Sequence, residues 1–222
     1  MGYLLVLGAS SNIAKALAEK YASYGQDLYL VDTDPDSLEE TKYRIAEQHG
    51  VDVQLLKLDI TEFYNHRNFY YSLSPTPFGV ISAVDYLGDE NRAQKDFLET
   101  KKILDINYTG LVAMLNIIAA DFEERESGFI ITVSYAADKK EELEHYTYKS
   151  AKAGLAAYMS GIRDRLSKVD VDVLTVMQSL DVADPEKFAE DIFAAQQKGK
   201  DVIYSKEAVK NLTGLVKGLR WK

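Results

Sequence analysis

Cysteine is absent from all 222 residues, which excludes disulfides, thiolate nucleophiles and cysteine-ligated zinc or iron–sulfur centres. The absence fits a reducing compartment. Histidine is nearly as scarce, and His49, His66 and His145 are too scattered in sequence to suggest a metal cluster. Basic side chains are in deficit, 26 against 35 acidic ones, and the net charge of −9 opposes binding to nucleic acid or anionic lipid. Long hydrophobic runs are also missing: "GLVAMLNIIAA" falls well short of a membrane span. The run "YLLVLGAS" begins at Tyr3 and leaves no room for a charged leader before it, while Val6 stands where a myristoylation signal needs Ser or Thr. The expectation is a cytoplasmic protein. No Pro-rich linker, low-complexity stretch or internal repeat divides the chain, so residues 1–222 are expected to form one domain.

What is present is alternation. Short apolar runs rich in β-formers, "YLLVL", "DLYLV", "VDVQLLKLDI", "GVISAV", "GFIITVS", "VDVLTV" and "DVIY", are separated by longer helical patterns. Ile13, Leu17 and Tyr21 recur every four residues up to Gly25, and "DSLEETKYRIAEQHG" opens with Asp34 as N-cap and Pro35 and closes on glycine. Further helices are expected near Leu98 to Phe122, Tyr146 to Ser167 and Pro185 to Gln197. The aromatic-rich "EFYNHRNFYYSLSPTPF" is read as a helix packed on the sheet. The order predicts an α/β fold, a doubly wound parallel sheet of about seven strands with helices on both faces.

In such a sheet, ligands bind beyond the carboxyl ends of the strands, where a helix N-terminus can hold a pyrophosphate. "GASSNIA", Gly8 to Ala14, stands in that place. Gly8 is its one glycine, but Asn12 tolerates positive φ and Ala14 is small, so the turn is feasible. Asp32 ends the second strand, where a carboxylate can accept both ribose hydroxyls and repel a 2′-phosphate. If a dinucleotide binds, NAD(H) is favoured over NADP(H). The plain alternative is a loop carboxylate within "DTDPD".

Tyr-x-x-x-Lys occurs twice, at Tyr135/Lys139 and Tyr148/Lys152. Tyr148 opens the helical segment "YKSAKAGLAAYMSGIRDRL", where i and i+4 share a face and Ser150, Ala151, Ala153 and Gly154 permit close approach. Tyr135 is expected in a loop just after a strand. A phenol ordinarily titrates near 10, and a neighbouring ammonium together with an oxidised nicotinamide would lower it toward neutrality.

Taken in order, "GASSNIA", "LDIT", "ILDINYTG", "GFIITVS" and "YKSAKAGL" resemble the short-chain dehydrogenase/reductase superfamily over nearly the whole chain. The resemblance implies an oxidoreductase interconverting a secondary alcohol and a carbonyl, with Tyr148 as general acid/base. Lys152 would lower its pKa and bind the nicotinamide ribose, and Asn107 would hold a proton-relay water. It also implies cofactor contacts at Gly8, Ser10, Ser11, Asn12, Ile13, Asp32, Asp59, Ile60 and Ala83, and a homodimer or homotetramer.

Several positions depart from the family pattern. The substrate-polarising serine is expected thirteen residues before Tyr148, but that residue is Tyr135; Ser134 is adjacent, and neighbouring strand residues point to opposite faces. Asp85 stands where a glycine would lie close to the cofactor, and a carboxylate there either opposes the pyrophosphate or requires a counter-charge. Gln178-Ser179 replaces Pro-Gly, and only "LDVAD" precedes the helix at Pro185, which implies a shortened substrate cover. A second reading is therefore carried: a catalytically impaired scaffold that binds cofactor or a protein partner without turnover. The C-terminal "EAVKNLTGLVKGLRWK" is expected to pack on the core or a subunit, with membrane-surface contact as the minor alternative.

Overall fold

A computed structural model of the chain describes residues 2–136, 144–180 and 182–209. The C-terminal segment from residue 210 onward, expected to pack on the core or a subunit, lies outside these. The strands are β1 (Tyr3–Leu7), β2 (Asp27–Asp32), β3 (Val53–Lys57), β4 (Gly79–Ser82), β5 (Gly128–Tyr135), β6 (Val171–Gln178) and β7 (Val202–Tyr204). The helices are α1 (Asn12–Ala22), α2 (Glu39–His49), α3 (His66–Ser72), α4 (Glu90–Ala93), α5 (Phe97–Leu104), α6 (Gly110–Arg125), α7 (Tyr146–Leu166) and α8 (Pro185–Gln196). All strands pair in parallel in the order β3-β2-β1-β4-β5-β6-β7, as the alternating pattern requires.

Period-two alternation sends neighbouring strand residues to two cores. Leu4, Val6, Leu28, Leu30, Ile131 and Val133 pack with α1 and α8 on one face. Leu5, Leu7, Val31, Val80 and Ile130 pack with α6 and α7 on the other. Among the described residues, the helical stretch Phe97–Arg125 is long and apolar enough to cross a membrane. Its Leu111, Met114, Leu115, Ile118 and Phe122 are instead fully buried in the second core.

Three local expectations are corrected. Asp34 makes no side-chain cap: Pro35–Leu38 forms a 3₁₀ turn before α2, which displaces Asp34 from the helix proper. The helix expected near Leu98 to Phe122 is divided by a π turn at Asp105–Thr109, which seats Asn107 in the interior. Tyr135 is the last residue of β5, not a loop residue, because Ser134 and Tyr135 stay in register with Met177 and Gln178 of β6.

Candidate active site

The sheet order turns back on itself between β1 and β4, and the ends of these strands form a cleft of about 620 Å³. That volume lies within the usual range of small-ligand sites, about 300–1,000 Å³. Gly8 leaves β1 at φ +73°, and a Cβ there would lie 2.6 Å from the Val84 backbone, so glycine is required by both conformation and space. Ser11 then caps α1 by accepting from the Ala14 N–H at 3.3 Å. The first-turn N–H groups of that helix have no partner within it, which suits an anion.

Asp32 sits at the end of β2 on the cleft wall. Its carboxylate accepts from the Ser10 N–H at 3.0 Å and the Thr33 N–H at 2.8 Å, which ties the turn to the strand. Asp59 lines the same cleft and accepts from the Thr61 N–H and hydroxyl at 2.8 and 2.7 Å. Ile60 and Ala83 complete apolar parts of the wall, whereas Asn12 and Ile13 lie outside this cleft. Three carboxylates, Asp32, Asp59 and Asp85, line it against a single lysine, Lys102. These residues fit the adenosine end of a nicotinamide dinucleotide: a glycine cradle for phosphate, and a carboxylate at the strand end for a ribose diol.

Tyr148 and Lys152 come together at the other end. Lys152 is only 2% exposed; its Nζ donates to the Val84 carbonyl at 2.8 Å and lies 2.9 Å from Asp85 Oδ1. The Tyr148 hydroxyl donates to that same Oδ1 at 2.8 Å. Of the two expectations for Asp85, the structure shows a counter-charge, supplied by the helix lysine. Burial pushes the Tyr148 phenol well above its ordinary value, and the Asp85 charge and hydrogen bond push it further. The space beside this trio, lined also by Ile13, Ser134 and Gln178, is about 40 Å³.

The other family positions do different work from that expected. Ser134 is buried and its hydroxyl donates to the Lys152 carbonyl at 2.8 Å, so it anchors α7 and is not presented as a substrate donor. Tyr135 packs its ring edge-on to Tyr148 at 5.9 Å, in an apolar cluster with Ala93 and Ile103. Asn107, fully buried in the π turn, donates to the Tyr86 and Ile103 carbonyls at 2.6 and 2.9 Å. Its Oδ1 accepts from the Tyr86 N–H at 3.1 Å. The Asn107 side chain therefore clamps the segment that carries Asp85, and both of its amide hydrogens are committed to backbone carbonyls.

Glu90, absent from the sequence-based candidates, supplies the missing cap of α7. The residue before this helix, His145, is left-handed at φ +53° and caps nothing with its side chain. Glu90 accepts instead from the Thr147 N–H at 2.9 Å and hydroxyl at 2.7 Å. A carboxylate there also complements the helix dipole. Its signal was hidden because donor and acceptor lie 57 residues apart.

The family model described as short chain dehydrogenase matches residues 3–180. A 7beta-hydroxysteroid dehydrogenase of Clostridium sardiniense is 26% identical over 171 residues, 77% of this chain and 66% of the relative. The chain therefore spans about two thirds of that relative's length. A short-chain dehydrogenase from Sphingobium yanoikuyae, solved in complex with NADPH, superposes with a TM-score of 0.83 at 19% identity, covering 99% of this chain and 95% of that one. The bulky-bulky ketone specific alcohol dehydrogenase of Comamonas testosteroni gives 0.84 at 18%, covering 99% and 93%. With its seven-stranded parallel sheet, its glycine turn at the β1/β4 crevice and its paired Tyr148 and Lys152, the chain belongs to the short-chain dehydrogenase family and shares the fold of its oxidoreductases.

Proposed function

We propose that the protein is an NAD(H)-linked oxidoreductase interconverting a secondary alcohol and a carbonyl. The observation that carries this reading is the meeting of buried Tyr148 and Lys152 in the small space that adjoins the cleft at Asp85. A bound nicotinamide would supply or accept the hydride. Gly8 and the start of α1 would hold the phosphates, and Asp32 the adenosine ribose. Tyr148 would carry the proton at its hydroxyl. The hydroxyl is placed to give a proton to a carbonyl oxygen, or to take one from an alcohol, as hydride moves. The Asp32 carboxylate at the end of β2, placed to take a ribose diol and repel a 2′-phosphate, supports NADH over NADPH. Calorimetry should show NADH binding more tightly; no binding of either cofactor would remove this reading. On a panel of carbonyls and alcohols, Tyr148→Phe should abolish turnover with the fold intact, and unchanged turnover would move the chemistry elsewhere.

One observation favours a second reading, binding without turnover. Tyr135 fills the place of the expected serine while Ser134 is committed to the Lys152 carbonyl, so the substrate side has no serine donor. A Tyr135→Ser variant that gains activity would support that reading, and a loss would count against it.

A further inference from the structure

Asp85 is a charged side chain in an unusual position. One of its oxygens meets both polar groups of the reactive pair, the Tyr148 hydroxyl and the Lys152 ammonium. Its backbone is held firmly: the next residue, Tyr86, is pinned through N–H and carbonyl by Asn107, and its hydroxyl donates to buried Glu99 at 2.9 Å. Yet the carboxylate itself is 41% exposed and borders the large cleft, which leaves it room to turn away. A fixed backbone with a free path for the side chain is the geometry of a latch.

The two ends of the crevice differ to match. About 620 Å³ is open on the Asp32 side and about 40 Å³ beside Tyr148 and Lys152. A pyridine ring with its ribose cannot enter the smaller space until Asp85 leaves. We propose that Asp85 is a built-in latch on the nicotinamide end, so that the cleft as it stands admits adenine nucleotides lacking a nicotinamide riboside, of which ADP is the simplest, and NADH binds only at the cost of opening it. This rests on the reading of the cleft as a nucleotide site. ADP uses the open end and leaves both Asp85 contacts in place. NADH must displace them, and its apparent affinity falls by the fraction of molecules in which the latch is open.

The test is calorimetric titration of ADP and NADH into the wild-type protein, Asp85→Gly and Asp85→Asn, with thermal melts to establish that each variant is folded. In the wild type, ADP should bind within about threefold of NADH, since the latch offsets the additional contacts NADH can make. Asp85→Gly should tighten NADH about tenfold, as expected when the open fraction rises from about a tenth to near unity, and change ADP by less than about twofold. Asp85→Asn keeps the bulk and removes the charge, and should tighten NADH by a smaller factor. If wild-type NADH binds far more tightly than ADP and neither variant alters their ratio, the latch is refuted while the nucleotide site stands. If no protein in the set binds either nucleotide, the site and the proposed function both fall.

Discussion

Removing the Glu90 carboxylate should unfasten the start of α7, and its size follows from two contacts. Glu90 is 8% exposed and takes hydrogen bonds from the Thr147 N–H and hydroxyl. Hydrogen bonds to a charged group contribute about 1.5–3 kcal/mol each, and losing a helix N-cap costs about 0.5–2 kcal/mol. The carboxylate's own burial offsets part of this, so Glu90→Ala should lose about 2–3 kcal/mol, a large share of the usual 5–15. In urea, with a slope of about 2–3 kcal/mol per M, the midpoint should fall by about 1 M at unchanged slope. Thr147→Val removes the hydroxyl donor while keeping side-chain volume. A double-mutant cycle between the two should therefore return a coupling of about 1 kcal/mol. A coupling indistinguishable from zero, or a Glu90→Ala loss below about 0.5 kcal/mol, would show that α7 begins without this carboxylate. Because Tyr148 directly follows Thr147, the variant should also weaken any activity more than its melting point suggests.

Gly8→Ala should destabilise the fold by about 2 kcal/mol or more and abolish nucleotide binding, since the new Cβ meets the Val84 backbone at 2.6 Å in a left-handed conformation. Calorimetry and melting check both halves; normal ADP binding would contradict the cradle. His66 is fully buried against the Ile60 carbonyl, and burial lowers its pKa below the ordinary 6.5. Its neutral form is the one that folds, so its contribution is fully present above about pH 6.5 and falls away as pH drops toward the folded-state value, at up to about 1.4 kcal/mol per unit. Urea midpoints between pH 7.5 and 5.5 should decline in the wild type and more shallowly in His66→Gln; parallel declines would assign the effect elsewhere. Tyr148→Phe should leave the Asp85–Lys152 contact intact and change the melting temperature little, while removing turnover.

The parts legible in the sequence were those whose cause is local. The first strand, Gly8 and the α1 face of Ile13 and Leu17 are fixed by neighbours within a dozen residues, and they set the crevice. The Tyr148/Lys152 pair was legible for the same reason, because i and i+4 share a face of any helix. The sign of the Tyr148 pKa shift was not. Burial and the charge of Asp85, 63 residues away in sequence, set it. The roles of Ser134 and Asn107 were likewise decided by distant backbone carbonyls, those of Lys152 and Tyr86. Alternation said that Ser134 and Tyr135 face apart, but not which partner each would meet.

The π turn at Asp105–Thr109 inserts one residue into a helix that would otherwise run unbroken from Phe97 to Arg125. Deleting one residue there would restore regular α pairing and rotate α5 by about 100° against α6. The peptide itself would gain from that regularity. Ile103 and Glu99, however, now lie against Gly88 and Tyr86, and the rotation would carry them away from the strap that bears Asp85. Helix and crevice are therefore in opposition at this point: the extra residue acts as a phase shifter, setting one stretch to face the core and the next to face the ligand. A single-residue deletion is thus expected to yield a better helix and a protein without its cleft.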